Sequence, residues 1–193
     1  MGGIESTMLE LEELKNQCLQ CEKCRLHSTR KNVVFGEGNA QADIMFVGEA
    51  PGGEEDATGI PFIGKAGQLL NLALKSLRIR REECYIGNIC KCRPENNRIP
   101  YEDEALTCIT YLKQQVEIIK PKVIVCLGAT PLKYIVDKDA QITKSRGQWI
   151  EKGEFIIMPT FHPAALLRDE SKKLPFWEDL RKVRDQNITR YDS

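Results

Sequence analysis

Four short, largely apolar runs decide what this chain can fold into. They are residues 43–47, 84–88, 123–127 and 155–158. Segments with helix-like apolar spacing lie before, between and after them, at 6–25, 67–77, 101–119, 129–136 and 174–187. Pro100 precedes the 101–119 segment and Pro121 stops it, as expected at the ends of a helix. Strands alternating with helices imply parallel pairing through right-handed crossovers. Runs such as Asp43-Ile44-Met45-Phe46-Val47 are continuously apolar rather than alternating, which is the pattern of a strand covered on both faces.

A parallel sheet places the carboxyl ends of its strands on one rim, and open α/β sheets hold ligands there. The loop after the first run, within residues 48–71, is rich in glycine and carries four acids, Glu49, Glu54, Glu55 and Asp56, and one aromatic, Phe62. A turn alone needs few of these residues. The second run ends at Asn88, and the fourth is followed by Pro159-Thr160-Phe161-His162-Pro163. The topology therefore predicts that the segment from Glu49 to Phe62, Asn88 and His162 meet on one rim.

The chain has 193 residues, enough for a single domain, 1–193, with a full core. It carries 28 basic and 28 acidic residues, so no global field advertises a polyanionic partner, although local cation clusters at Lys91, Arg93 and Arg98, and at Arg168, Lys172 and Lys173, can steer one. No apolar run approaches the ~20 residues that span a membrane. The N-terminus lacks the layout of a secretion signal, so the sequon at Asn187-Ile188-Thr189 carries little weight.

There are eight cysteines, and without a secretion signal their spacing reads as metal binding rather than disulfides. Cys18, Cys21 and Cys24 form C-x2-C-x2-C. Cys21 and Cys24 make a chelating pair, Cys92 lies in a loop with Pro94 and Arg98, and Cys108 can reach back from the long helix. Cys84 and Cys126 fall inside apolar runs and read as core. Cys18 can be read as a ligand or as a helix residue. Spacing alone leaves a tetrahedral zinc site and an iron–sulfur cluster equally open.

Several longer motifs occur in order: Gly48-Glu49-Ala50-Pro51-Gly52 followed by Glu55-Asp56 and Pro61-Phe62, Lys91-Cys92-Arg93-Pro94 with Asn97-Arg98 and Pro100, Ile142-Thr143-Lys144 with Arg146-Gly147, and Phe161-His162-Pro163 before Leu166-Leu167-Arg168. Together they resemble the family-4 uracil-DNA glycosylases, iron–sulfur enzymes of bacteria and archaea. The resemblance extends from about Cys21 to Arg168 and includes Val34 to Asn39. It implies a three-layer α/β/α sandwich around a four-stranded parallel sheet. It also implies a 4Fe-4S cluster held by Cys21, Cys24, Cys92 and Cys108, which demotes Cys18 and Cys90. Uracil-containing DNA is the implied partner of a monomeric cytoplasmic enzyme, nucleoid-associated, and a sliding clamp is left open as a second partner.

Such an enzyme must extract a uracil from the stack and cut its bond to deoxyribose. Phe62, held by Pro61, can stack on the uracil, or it is a core aromatic. Asn88 can accept from uracil N3–H and donate to O4, or it caps a strand end. His162 can donate to O2 as negative charge builds there. Better-known uracil glycosylases place an aspartate where this chain has Ala50, so Glu49 and the Ala50 carbonyl are left to hold a water. Bond breaking is then expected to lead and water capture to follow. Glu55 either crowds the C5 position or caps the loop. Leu166 or Leu167 can fill the gap left by a flipped base, and Arg168 can pin a phosphate. No lysine stands among the base-facing positions, so no strand cleavage is expected. The alternatives are a glycosylase for other deaminated bases and a non-enzymatic iron–sulfur DNA-binding or redox protein.

Overall fold

The computed structural model describes residues 2–188; Met1 and residues 189–193, with Thr189 of the sequon, lie outside them. Its elements in chain order are α1 (Gly2–Leu19), β1 (Glu37–Gly38), β2 (Ile44–Gly48), α2 (Gly53–Thr58), α3 (Lys65–Ser76), β3 (Tyr85–Asn88), α4 (Glu102–Ile119), β4 (Val123–Leu127), α5 (Ala129–Ile135), α6 (Ile142–Ser145), β5 (Ile150–Lys152), β6 (Phe155–Thr160), α7 (Pro163–Arg168) and α8 (Lys173–Ile188). Short 3-10 turns occupy Arg25–Ser28, Arg81–Glu83, Glu95–Asn97 and Glu170–Lys172.

The sheet has six strands in the order β1-β3-β2-β4-β6-β5. Its middle is the expected four-stranded parallel unit, with β3, β2, β4 and β6 paired in parallel. Two antiparallel edge strands are added: β1 pairs with β3, and β5 with β6. They have two and three residues, too short to show a period in sequence.

The central strands are buried on both faces, and alternate residues serve opposite layers. Met45, Val47, Ile124 and Cys126 pack with Leu14 of α1 and with Ala105, Ile109 and Leu112 of α4. Ile44, Phe46, Val123 and Val125 pack with Leu70 and Leu74 of α3, Leu166 of α7, and Phe176 and Leu180 of α8. The result is the three-layer sandwich. α1 is shorter than its sequence reading of 6–25: it stops at Leu19, so Cys21 and Cys24 lie beyond the helix. The Cys21 N–H donates to the Cys18 carbonyl at 3.1 Å, closing the turn that leads the chain away.

α3 approaches the 61–64 loop so closely that residue 67 must be glycine. A β-carbon there would overlap the backbone carbonyl of Phe62. Gly67→Ala should therefore lower stability by about 1–3 kcal/mol, the usual cost of overpacking a close contact. Thermal unfolding followed by circular dichroism checks this; a melting temperature equal to that of the parent would show that the loop yields freely.

Candidate active site

The parallel register sets Gly48 beside Asn88 at the carboxyl ends of β2 and β3. Hydrogen bonds continue past the strands: Ile89 N–H donates to the Gly48 carbonyl at 2.9 Å and Cys90 N–H to the Glu49 carbonyl at 3.0 Å. The absence of a side chain at Gly48 opens the cleft. A β-carbon there would lie 2.5 Å from Asn88 Oδ1 and 2.5 Å from Phe62 Cζ. The amide and the ring therefore flank the same point. The Phe62 and His162 rings lie with centroids 5.6 Å apart, tilted by 33°. Three loops far apart in sequence thus bring one ring, one amide and one imidazole together.

The Asn88 side chain is buried, and its Oδ1 is the one buried side-chain oxygen or nitrogen among the described residues without a hydrogen-bond partner. An unpaired buried acceptor costs about 1–3 kcal/mol, so this one is poised for a donor from outside.

Phe62 is held in a left-handed conformation, with φ of 52°. Arg81 grips the backbone on either side, donating to the carbonyls of Pro61 at 2.7 Å and Phe62 at 3.2 Å. Glu55 grips it from the other end: its Oε1 accepts from the N–H groups of Ile63 at 3.1 Å and Gly64 at 2.9 Å. Of the two readings of Glu55, the loop clamp is the one these bonds describe.

His162 precedes α7, and its Nδ1 accepts from the Ala164 N–H at 3.0 Å. With Nδ1 accepting, the neutral ring carries its proton on Nε2. Burial of the imidazole, reinforced by the Arg168 charge and opposed by Glu55, pushes its pKa down to about 4. It is a neutral donor at physiological pH. A β-carbon at Gly128 would meet His162 Cβ at 3.0 Å, so this glycine lets the His162 backbone close on β4. Glu49 is half-buried and its carboxylate accepts from the Thr130 hydroxyl at the start of α5. Ala50 is half-buried against the α1 and α4 core.

The pair after His162 is resolved into different roles. Leu166 is 0% exposed and packs in the core, so it cannot reach a duplex without leaving the interior; this corrects its place as a candidate wedge. Leu167 is 50% exposed, and Arg168 is exposed beside it.

Next to the rim, Cys18, Cys21, Cys24, Cys92 and Cys108 line one cleft with Arg30 and Lys91. Two N–H groups point at its sulfurs: Lys91 N–H donates to Cys108 Sγ at 3.2 Å and Arg30 to Cys92 Sγ at 3.4 Å. The neighbouring Cys90 thiol and the Lys91 charge hold the Cys108 thiol below its usual range. Cys18 is 1% exposed and packs in the core beside Leu14. Among the described residues no three His, Cys, Asp or Glu side chains close on a single ion. A cluster spreads its ligands over several corners, and a cleft of thiols with N–H donors aimed at their sulfurs fits that demand.

Two residues, Arg81 and Thr130, had no role in the sequence reading and gave no signal, because their partners are distant in the chain. Lys91, counted in sequence with Arg93 and Arg98 as a cation cluster able to steer a polyanion, is 1% exposed and so is no part of a surface patch.

A family model described as the Uracil DNA glycosylase superfamily matches residues 35–181. The chain is 49% identical over 178 residues to a type-4 uracil-DNA glycosylase of Thermotoga maritima, covering 90% of this chain and 93% of the other. It is 46% identical over 191 residues to a type-4 uracil-DNA glycosylase of Sulfurisphaera tokodaii, covering 94% and 87%. A type-5 uracil-DNA glycosylase of Pyrobaculum aerophilum is only 25% identical over 188 residues, covering 80% and 83%, so the likeness is to the type-4 proteins.

The His162 environment makes a pH prediction. Its folded pKa, about 4, lies below the 6.5 of an unperturbed histidine, so the unfolded chain binds the extra proton first as pH falls. The contribution to stability is intact above pH 6.5 and is lost progressively as pH falls toward 4. NMR titration should show His162 neutral through pH 5 to 8; a midpoint above 6 would contradict the assigned donor.

Proposed function

This chain belongs to the type-4 branch of the uracil-DNA glycosylase superfamily, and we propose that it removes uracil from DNA by hydrolysing the N-glycosidic bond of the flipped nucleotide, leaving an abasic site. One observation carries the residue-level reading: the buried, unpaired Asn88 Oδ1 faces the same point beside Gly48 as the edge of the Phe62 ring. Phe62 stacks on the extruded uracil. Asn88 accepts from N3–H, which ends the isolation of its oxygen, and its amide N–H donates to O4. Cytosine carries a lone pair at N3 and donors at N4, so the same amide meets it mispaired.

His162 supplies the electrostatic part. Its neutral ring directs Nε2–H at uracil O2, where negative charge collects as the glycosidic bond lengthens. A donor so placed typically contributes ~3–4 kcal/mol to the transition state. The bond breaks first, to a uracil anion and a sugar cation. Water, held by the Glu49 oxygen that Thr130 does not occupy and by the Ala50 carbonyl, then adds to the sugar cation, and the proton it loses neutralises the uracil anion, giving the C1′ hydroxyl of the abasic site and free uracil. Lys91, close to the site, has its Nζ bonded to the Asn88 carbonyl and to Gln115, which supports hydrolysis without strand cleavage. Leu167 enters the vacated stack and Arg168 contacts a phosphate.

Cys21, Cys24, Cys92 and Cys108 would hold a 4Fe-4S cluster in the cysteine cleft. The cluster would supply cross-linking rather than chemistry, joining the turn after α1, the loop after β3 and α4. We take 1–193 as one catalytic unit that acts as a monomer in the cytoplasm, at the nucleoid. No helix among the described residues is long and apolar enough to cross a membrane.

Two experiments test this reading. The protein should leave an alkali-labile site in a strand carrying one uracil, and Asn88→Asp should lower that excision by roughly 100-fold or more with its iron content unchanged. Equal activity of the variant removes Asn88 from the site. Cys92→Ala should lose iron and solubility together, measured as iron per chain in the soluble fraction. A soluble, iron-replete Cys92→Ala protein would show that the ligand set is wrong.

A further inference from the structure

Lys91 is 1% exposed, a rare setting for a lysine. Its Nζ donates to the backbone carbonyl of Asn88 at 3.0 Å and to Gln115 Oε1 at 2.7 Å, and it lies 5.9 Å from the centre of the Phe35 ring. These acceptors are neutral, and none is a carboxylate. Gln115 cannot turn away, because its own Nε2 donates to the Phe35 carbonyl and to the Tyr85 hydroxyl, both at 2.9 Å. The backbone of Lys91 is engaged as well. Its N–H donates to Cys108 Sγ at 3.2 Å and its carbonyl accepts from Val34 N–H at 2.7 Å. One residue therefore touches both the base-reading strand end and the cysteine cleft.

We infer that Lys91 is a positioning residue for uracil recognition: its Nζ holds the Asn88 carbonyl, and so aims the unpaired Asn88 amide, while its N–H ties that hold to Cys108. The inference rests on the proposed role of Asn88 in reading uracil. Asn88 ends its strand, and its peptide with Ile89 is held on the N–H side by the Gly48 carbonyl at 2.9 Å and on the carbonyl side by Lys91. Without the second hold the peptide can tilt about the remaining bond, and the amide moves with it. A misplacement of about 1 Å in a positioned group can cost on the order of 100-fold in rate.

The test compares the wild-type protein with Lys91→Met, Gln115→Met, Asn88→Ala and the double variant Lys91→Met/Asn88→Ala. Four quantities are measured: iron per chain, melting temperature, inhibition by free uracil, and steady-state kcat and KM on a uracil-bearing strand. Lys91→Met should keep its iron, bind free uracil about tenfold more weakly, the size of one lost hydrogen bond, and lose about 100-fold in kcat/KM. Added to Asn88→Ala, it should cause no further loss, because Asn88→Ala has already removed the amide through which Lys91 acts. A merely structural role would lower the melting temperature without moving uracil affinity. Wild-type uracil affinity in Lys91→Met, or a loss that adds in full to that of Asn88→Ala, overturns the inference. If Lys91→Met does not fold, Gln115→Met gives the same reading: weakened uracil binding sustains the proposal and wild-type affinity sinks it. A wild-type protein that cuts no uracil would instead defeat the reading of the site itself.

Discussion

The cleft depends on a backbone conformation that a bulky residue resists. Phe62 has φ of 52°, and a non-glycine residue held in the left-handed region costs about 1–3 kcal/mol. The surroundings over-determine it. Arg81 fixes the carbonyls of residues 61 and 62, Glu55 fixes the N–H groups of 63 and 64, and Gly67 admits α3 against the Phe62 carbonyl. Three holds from three elements leave the ring standing over Gly48 before any base arrives. A platform already in place needs no reorganisation at the moment of reaction, which is where preorganised sites gain their advantage.

The two other rim residues are anchored in the same manner from opposite layers. On the α4 side, Gln115 and Lys91 form a satisfied buried chain that ends at the Asn88 carbonyl. On the α8 side, Arg146 donates to both oxygens of the buried Asp179, at 2.9 and 2.5 Å, and the Thr160 hydroxyl donates to Asp179 at 2.7 Å. Thr160 stands two residues before His162. A β-carbon at Gly147, whose φ is 73°, would lie 2.5 Å from Asp179 Oδ1, so that glycine is required for the helix to close on the strand. Buried polar groups are costly when half-satisfied and rigidifying when complete. Here they lie directly behind the positions that must not move.

Much of this was legible in the sequence. The four central strands appear within one or two residues of their apolar runs, because a strand covered on both faces leaves an unbroken signature. The meeting of Phe62, Asn88 and His162 follows from parallel topology alone. What was not legible has physical reasons. β1 and β5, with two and three residues, do not complete two periods of an alternating pattern. α2 and α7 have six residues each, too few to show a helical face. Leu166 and Leu167 are adjacent and chemically alike, yet one step along a helix turns a side chain by about 100°, and only packing decides which of them faces the core. Glu55 shows the opposite limit: its identity pointed to a clamp or a wall, and the choice needed the two N–H groups it accepts.

Uracil and thymine present the same hydrogen-bonding edge, so in the proposed site Asn88 would not tell them apart. It would discriminate against cytosine, whose N3 brings no proton and would leave Oδ1 as isolated as before. Thymine differs by a methyl at C5 and must be refused by shape. A yielding pocket rejects one methyl by only about 1–3 kcal/mol, because its walls relax around the intruder. A wall that cannot relax does better. The loop beside Phe62 is built without slack: the Glu55 carboxylate is pinned by two backbone donors, and a β-carbon at Gly52 would already meet its Oε2 at 2.8 Å. The clamp that holds Phe62 thus makes this part of the rim rigid, and rigidity is what refusal of a methyl by shape requires.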